Sequence, residues 1–332
     1  MLRRVTDAGA RKRPILILMG MKHAQGARPA RLLAVALLLA AAQARAQVPR
    51  FAAGTELVTL SATAVDAEGR PVQDLKAAEL RIFEDGLPQP LQHFSSARDS
   101  RARILLLMDA SGSMNGELKA TSTRMAVVQI LAALQTGDEA ALAAFDSKYW
   151  GVVRFTTDRD QILKAMDDIA PYGSTALHDA LEHAARDLAS HGEGRRAVVV
   201  ITDGVDTSSQ RRPDEVIATS RALDVPIYTL AVLSPLDDPS SPRFSGKERP
   251  AEATAGSEVL ARYAGLSGGA AFAVSDFTAL KKAADRIASE LKFQYRLGYD
   301  PPPGPPRFRR VEVRATRKGV VVRTRSGYVP QS

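Results

Sequence analysis

The chain has 332 residues, a formal net charge of +8 and no cysteine. This length allows one large domain or two modest ones, and the missing cysteine excludes disulfides, thiolate metal sites and cysteine nucleophiles. A net positive charge can indicate a nucleic-acid or anionic membrane partner if the basic residues lie in the folded part of the chain. Their distribution along the sequence therefore decides what the charge implies.

Residues 1–46 hold the basic excess and are predicted to be a leader that contains a signal peptide. They include nine lysines and arginines and one aspartate, a difference equal to the whole net charge. Lysine and arginine precede a short apolar run at 32–42, and Ala44-Arg45-Ala46 matches the small-x-small pattern of a cleavage site. We therefore expect a secreted or periplasmic protein, cleaved near Ala46-Gln47, with no nucleic-acid partner.

An uncleaved N-terminal anchor is the alternative to cleavage. The apolar run is short, whereas a helix needs about 20 apolar residues to cross a membrane. We therefore expect no integral membrane span in the mature chain. Residues 1–20 are superfluous to such a signal, which leaves both Met1 and Met21 as possible starts.

Residues 47–102 are predicted to form β structure. Residues 56–65 alternate between apolar and polar, a turn follows, and Leu80–Glu84 has the pattern of a second strand. The segment holds too few strands to bury an apolar face of its own.

Residues 103–292 alternate strand and helix patterns, which predicts a doubly wound, mostly parallel, Rossmann-like α/β sheet. The apolar run 103–108 is typical of a buried parallel strand, and helical spacing follows at 122–134. Residues 140–145 and 150–155 are predicted to pair as a hairpin. The polar residues 234–254 are predicted to be an insertion or long loop.

Residues 293–332 return to a β pattern. A hairpin is predicted around Lys318-Gly319, with valines inward and its arginines, Arg309 and Arg325 among them, on a solvated face rather than in an anion site. This flank also lacks enough strands for a sheet pair. We therefore expect it to pack with residues 47–102 as one smaller β unit.

Oxygen-bearing side chains follow the first strand of the α/β segment. Asp109, Ser111 and Ser113 alternate directly after residues 103–108. Ligands of open α/β sheets bind beyond the carboxyl ends of the strands, and such oxygens suit a hard cation such as Mg²⁺. The alternative is a polar turn in which these residues cap the helix.

Two later loops complete a recognisable order. Thr175 opens a helix, and Asp203 follows the buried strand 197–202. Together with Asp109, Ser111 and Ser113 they resemble the metal-ion-dependent adhesion site of the von Willebrand factor type A (VWA) domain. The resemblance implies these five residues as ligands of Mg²⁺ (or Mn²⁺ or Ca²⁺), with a partner protein's carboxylate completing the coordination.

The two flanks carry a second resemblance. VDAEGRPVQDL and LRIFEDG before the α/β segment, and YRLGY and FRRVEV after it, are similar to sequences in a group of exported bacterial proteins with a VWA domain. In that group the first flank is a small Ig-like segment, which is the fold that the resemblance implies for residues 47–102.

Enzymatic alternatives rest on weaker patterns. Residues 265–269 match G-x-S-x-G, but they follow a helix and precede a strand, the reverse of a nucleophile elbow, so a helix C-cap is favoured. Metal-assisted hydrolysis needs a base, and His178 and Asp179 follow Thr175 at positions that are usually caps. Asp206 either joins the rim of the site or caps a turn. We therefore predict a non-enzymatic binding protein, with an envelope assembly factor and a metal-dependent hydrolase as alternatives.

Overall fold

The computed structural model describes residues 57–96, 101–192, 194–233 and 251–330, the side chains of 251–255 excepted. The predicted leader and its cleavage site lie outside these ranges, as does most of the predicted polar insertion. Within these ranges, every helix is too short or too polar to cross a membrane.

The elements of the described ranges are as follows. The strands are β1 (Val58–Val65), β2 (Leu80–Glu84), β3 (Leu87–Gln89), β4 (His93–Ser96), β5 (Ala102–Asp109), β6 (Glu139–Phe145), β7 (Tyr149–Thr156), β8 (Arg195–Thr202), β9 (Ile227–Val232), β10 (Ala271–Val274), β11 (Tyr295–Tyr299), β12 (Arg309–Ala315), β13 (Val321–Arg323) and β14 (Gly327–Tyr328). The helices are α1 (Glu117–Ala133), α2 (Arg159–Met166), α3 (Leu177–Ser190), α4 (Pro213–Leu223), α5 (Ala251–Ser267) and α6 (Phe277–Lys292).

A six-stranded sheet in the order β10-β9-β8-β5-β6-β7 forms the centre of the α/β segment. Its neighbours are parallel except β6 and β7, which pair antiparallel as predicted. The run Ile104–Leu107 is fully buried because side chains of α1, α2 and α6 cover one face, and those of α3, α4 and α5 cover the other. The predicted fold class is confirmed.

The smaller β unit is built from both flanks. One sheet has the order β13-β1-β11-β4 and the other β14-β12-β2-β3, so each combines strands from before and after the α/β segment. A shared apolar core lies between them, with Leu60 of β1, Ile82 of β2, Leu297 of β11 and Val313 of β12 buried in it. The boundaries given to each segment stay predictions.

Two expectations for the C-terminal flank are wrong. β12 pairs with β2 and β14, and β13 pairs with β1, so the turn at Lys318-Gly319 connects two sheets and does not close a hairpin. Arg309 and Arg325 are buried, and their guanidinium groups have hydrogen-bond acceptors there. Arg309 donates to the carboxylate of Glu84, and Arg325 donates to the carbonyls of Arg221 and Thr59. An alternating pattern predicts which residues share a face of a strand. It does not show which hydrogen-bond acceptors from distant segments lie beside that face.

Candidate metal centre

Three loops meet at the carboxyl edge of the central sheet. The peptide nitrogens of Tyr172 and Gly112 donate to the carbonyls of Ala110 (2.8 Å) and Gly173 (3.0 Å), and so join the first loop to the second. Thr207 of the third loop donates its peptide N–H to the carbonyl of Thr175 at 2.8 Å. The loops that carry the predicted ligands are therefore bonded to one another.

Asp109 is the buried carboxylate of this edge, with 2% of its surface exposed. Oδ1 accepts from the peptide nitrogen of Ser111 at 2.8 Å, and Oδ2 accepts from the hydroxyl of Thr202 at 2.5 Å. Burial raises its pKa to about 6, against the opposing effect of these hydrogen bonds, and the charge of Asp203 adds to the increase. Asp109 and Asp203 are thus close enough to repel each other.

The two serine hydroxyls lie side by side. Oγ of Ser111 is 3.1 Å from Oγ of Ser113, and Ser111 is buried whereas Ser113 is exposed. A short 3₁₀ turn over Gly112–Met114 sets this spacing. A side chain at Gly112 would press on the carbonyl of Gly173 at 3.3 Å, so the small residue permits the contact between loops. The hydroxyl pair therefore stands at the boundary between the buried carboxylate and solvent.

Thr175 is buried and is fixed through its backbone. Its peptide nitrogen donates to the hydroxyl of Thr207 at 2.8 Å, and its carbonyl accepts from the peptide nitrogens of Thr207 and Ser208. The second loop is thereby held by the third, a connection that sequence reasoning did not identify.

Asp203 lies on the third loop and has a cationic neighbour. Nζ of Lys119, in the first turn of α1, donates to Oδ2 of Asp203 at 3.0 Å and to the carbonyl of Ser113 at 3.2 Å. Lys119 was not among the predicted site residues, because it lies in a polar stretch before the apolar periodicity of α1 begins.

The donor set fits a hard divalent cation. Two carboxylates and three neutral hydroxyls offer only oxygen, and two carboxylates match the charge of such an ion. Within the ranges described, no group of three or more His, Cys, Asp or Glu side chains could hold a metal, so any ion here depends on hydroxyl oxygens. That Asp109, Ser111, Ser113, Thr175 and Asp203 bind an ion together stays a prediction.

The residues considered for an enzymatic function, His178, Asp206 and Ser267, make contacts within the protein. Nδ1 of His178 is 2.7 Å from the hydroxyl of Tyr263, and Nε2 is 3.8 Å from Asp206, while burial lowers the His178 pKa. Asp206 also accepts from the hydroxyl of Ser209 at 2.6 Å, in a turn of the third loop. Ser267 is buried at the end of α5 and accepts from the peptide nitrogen of Ile227, as a helix terminus and not a nucleophile elbow.

The model of the von Willebrand factor type A domain matches residues 104–286, more than half of the chain. The chain belongs to the VWA domain family. The matched range begins in β5 and includes the three loops, so the candidate metal centre lies within the VWA domain.

Individual relatives extend the comparison. An uncharacterized protein of Borreliella burgdorferi is 30% identical over 148 residues, which are 42% of each chain, so less than half of that relative is spanned. The solved BatB structure of Bacteroides thetaiotaomicron is 16% identical, with 57% of this chain and 98% of that one covered and a TM-score of 0.45. A VWA structure of Catenulispora acidiphila is 14% identical over 83% and 74% of the two chains, with a TM-score of 0.48.

Proposed function

We propose that this chain is an exported, non-enzymatic binding protein whose VWA domain engages an acidic residue of a partner protein through a Mg²⁺-type ion. Asp109, Ser111, Ser113, Thr175 and Asp203 would hold the ion. When bound, the ion would supply a positive, electrophilic centre for the partner's carboxylate. The mature protein would be secreted or periplasmic, after cleavage near Ala46-Gln47.

The observation that carries the proposal is the contact between the buried Asp109 carboxylate and the loop that holds the two serines. The carboxylate is buried and already oriented by two hydrogen bonds, and the Ser111 and Ser113 hydroxyls of the adjoining loop lie 3.1 Å apart. Because Ser113 is exposed, a ligand can approach this side from solvent. A buried carboxylate with an exposed hydroxyl on the same loop suits an ion that keeps a position for an external ligand.

Two other functions remain as alternatives to adhesion. In an assembly factor of the cell envelope, the ion would organise a complex or only stabilise the domain. A metal-dependent hydrolase requires a base beside the activated water. Both ring nitrogens of His178 face protein groups, which favours a structural role for that residue over the role of a base.

Calorimetry on the full chain tests the first step. Mg²⁺ should bind the wild type, and Asp109→Ala should abolish measurable binding because one of two neutralising carboxylates is lost. Ser113→Ala should weaken binding less, since water can replace a neutral hydroxyl. Asp285→Ala changes an exposed aspartate of α6 and should bind as the wild type does. Equal affinity of Asp109→Ala and the wild type would contradict the proposed ligand set.

A second experiment tests adhesion. Partners captured from an envelope extract in Mg²⁺ should be lost both in EDTA and with Asp109→Ala. Changing one acidic residue of the captured partner to its amide should also abolish binding. Capture by Asp109→Ala at wild-type strength in EDTA would contradict metal-mediated adhesion, and turnover that follows the metal would favour the hydrolase.

A further inference from the structure

Lys119 reaches into the candidate metal centre from the first turn of α1. Its ammonium contacts Oδ2 of Asp203 at 3.0 Å and the carbonyl of Ser113 at 3.2 Å. The pair is largely shielded from water, with side-chain exposures of 15% for Lys119 and 8% for Asp203. Shielding of this degree reduces the dielectric screening that makes surface ion pairs weak.

The charges of the centre can be added residue by residue. Asp109 and Asp203 contribute two negative charges, and Lys119 contributes one positive charge. Among the described residues, Asp203 forms an ion pair with Lys119 and Asp109 forms none. A divalent ion held by the five predicted ligands would therefore leave the centre with one net positive charge.

We propose that Lys119 determines ligand specificity: it lowers the affinity of the centre for the divalent ion and raises the affinity of the loaded centre for an anionic ligand. This inference rests on the proposed metal-mediated function. A carboxylate would cancel the remaining positive charge, whereas a neutral amide or hydroxyl would leave it uncompensated in a shielded position. The lysine thus selects carboxylate ligands without touching them.

A positioning role for Lys119 predicts a different outcome. Lys119 engages Oδ2 of Asp203, and Oδ1 keeps one long contact of 3.5 Å from the peptide nitrogen of Val205. If the lysine only oriented this carboxylate, its removal would weaken binding of both the ion and the anion. A charge effect instead moves the two affinities in opposite directions.

The test uses Lys119→Met, which removes the charge and keeps a long side chain. Calorimetry should show Mg²⁺ binding about tenfold tighter to this variant than to the wild type, since a cation close to the ion is removed. Acetate is the anionic probe, titrated into the Mn²⁺-loaded full chain and followed by the water-proton relaxation rate. Its affinity should fall severalfold in Lys119→Met.

Two controls accompany the variant. Lys119→Arg keeps the positive charge and should retain low Mg²⁺ affinity and high acetate affinity. Lys281→Met removes an exposed lysine that pairs with Asp285 on α6 and should match the wild type in both measurements. If Lys119→Met does not fold by circular dichroism, Lys119→Gln takes its place.

Each outcome decides the inference. Opposite shifts of the two affinities support it, and parallel losses or unchanged affinities overturn it while leaving the metal site intact. Failure of the wild type and of every variant to bind Mg²⁺ would overturn the proposed function and, with it, the role of Lys119.

Discussion

The hydroxyl of Thr202 donates a 2.5 Å hydrogen bond to Oδ2 of Asp109, a residue 93 positions earlier in the chain. Thr202 ends β8 and Asp109 ends the neighbouring parallel strand β5. The hydroxyl also accepts from the peptide nitrogen of Gly204 at 3.0 Å, and so connects the third loop to the same carboxylate. The orientation of Asp109 therefore depends on the pairing of two strands as well as on its own loop.

Replacing Thr202 tests this relationship. Thr202→Val keeps the shape of the side chain but leaves a buried carboxylate oxygen without its donor, which should cost about 1–3 kcal/mol of unfolding free energy. Thr123→Val is the matched control, because Thr123 is also buried but its hydroxyl has no hydrogen-bond partner among the described residues. That change should be neutral or stabilising. Urea unfolding measures both, and equal effects would contradict the assigned role of the Thr202 hydroxyl.

Asp109 should contribute less to the stability of the metal-free protein at neutral than at acidic pH. Its pKa is raised from 3.8 to about 6, so the folded state keeps a proton that the unfolded chain has already released. This contribution to stability is fully present below pH 3.8 and is lost as the pH rises to about 6. Urea unfolding in EDTA between pH 4 and 8 should show the loss in the wild type but not in Asp109→Asn. Parallel curves for the two proteins would show that Asp109 titrates normally.

A buried ion pair joins the two flanks in the smaller β unit. Glu84 of β2 accepts from Arg309 at 2.8 Å and from the hydroxyls of Tyr299 (2.5 Å) and Tyr328 (2.8 Å), which all belong to the C-terminal flank. Glu84→Gln leaves Arg309 buried without its counter-charge and should cost about 3–5 kcal/mol. Tyr299→Phe, which removes one hydroxyl, should cost less. A wild-type urea midpoint for Glu84→Gln would show that this network does not hold the flanks together.

A close contact between α5 and the third loop should influence the metal centre. A Cβ at Gly256 would lie 2.7 Å from the carbonyl oxygen of Gly204, directly after Asp203, so Gly256→Ala must displace backbone. We expect Mg²⁺ affinity to fall severalfold. Gly265→Ala, on the same helix with open space around it, should leave affinity unchanged and add about 0.5–1 kcal/mol of stability. Calorimetry that shows identical affinities for both variants would exclude an influence of α5 on the loop.

The sequence predicted the strands that lead to the site because they are long apolar runs. The run at 103–108 extends by one residue at each end to become β5, and the run at 197–202 lies within β8. Because parallel strands place their carboxyl ends at one edge, the positions of Asp109 and Asp203 after β5 and β8 predicted that their loops lie together. Thr175 follows α2, and only the resemblance to the VWA domain implied that it belongs to the same site.

Short strands and site partners could not be predicted in the same way. β3 has three residues, one of them Pro88, and β4 has four, so neither carries enough alternation to be recognised. Helix α1 begins at Glu117, whereas its apolar spacing is recognisable only from residue 122. Lys119 lies between these two points, where the sequence gives no helical signal. Thr202 ends an apolar strand, and its hydroxyl becomes informative only when β5 lies beside it. These features depend on contacts between distant segments, which one local pattern does not contain.

The position of β1 has a consequence for how the protein is synthesised. β1 is made early, yet its two neighbours, β11 and β13, are among the last strands to leave the ribosome. A chain interrupted after the VWA domain would expose both hydrogen-bonding edges of an apolar strand, a state prone to aggregation. Completion of the smaller β unit therefore requires that translation has passed β14, and incomplete products should be distinguishable by proteases that cleave unpaired strands.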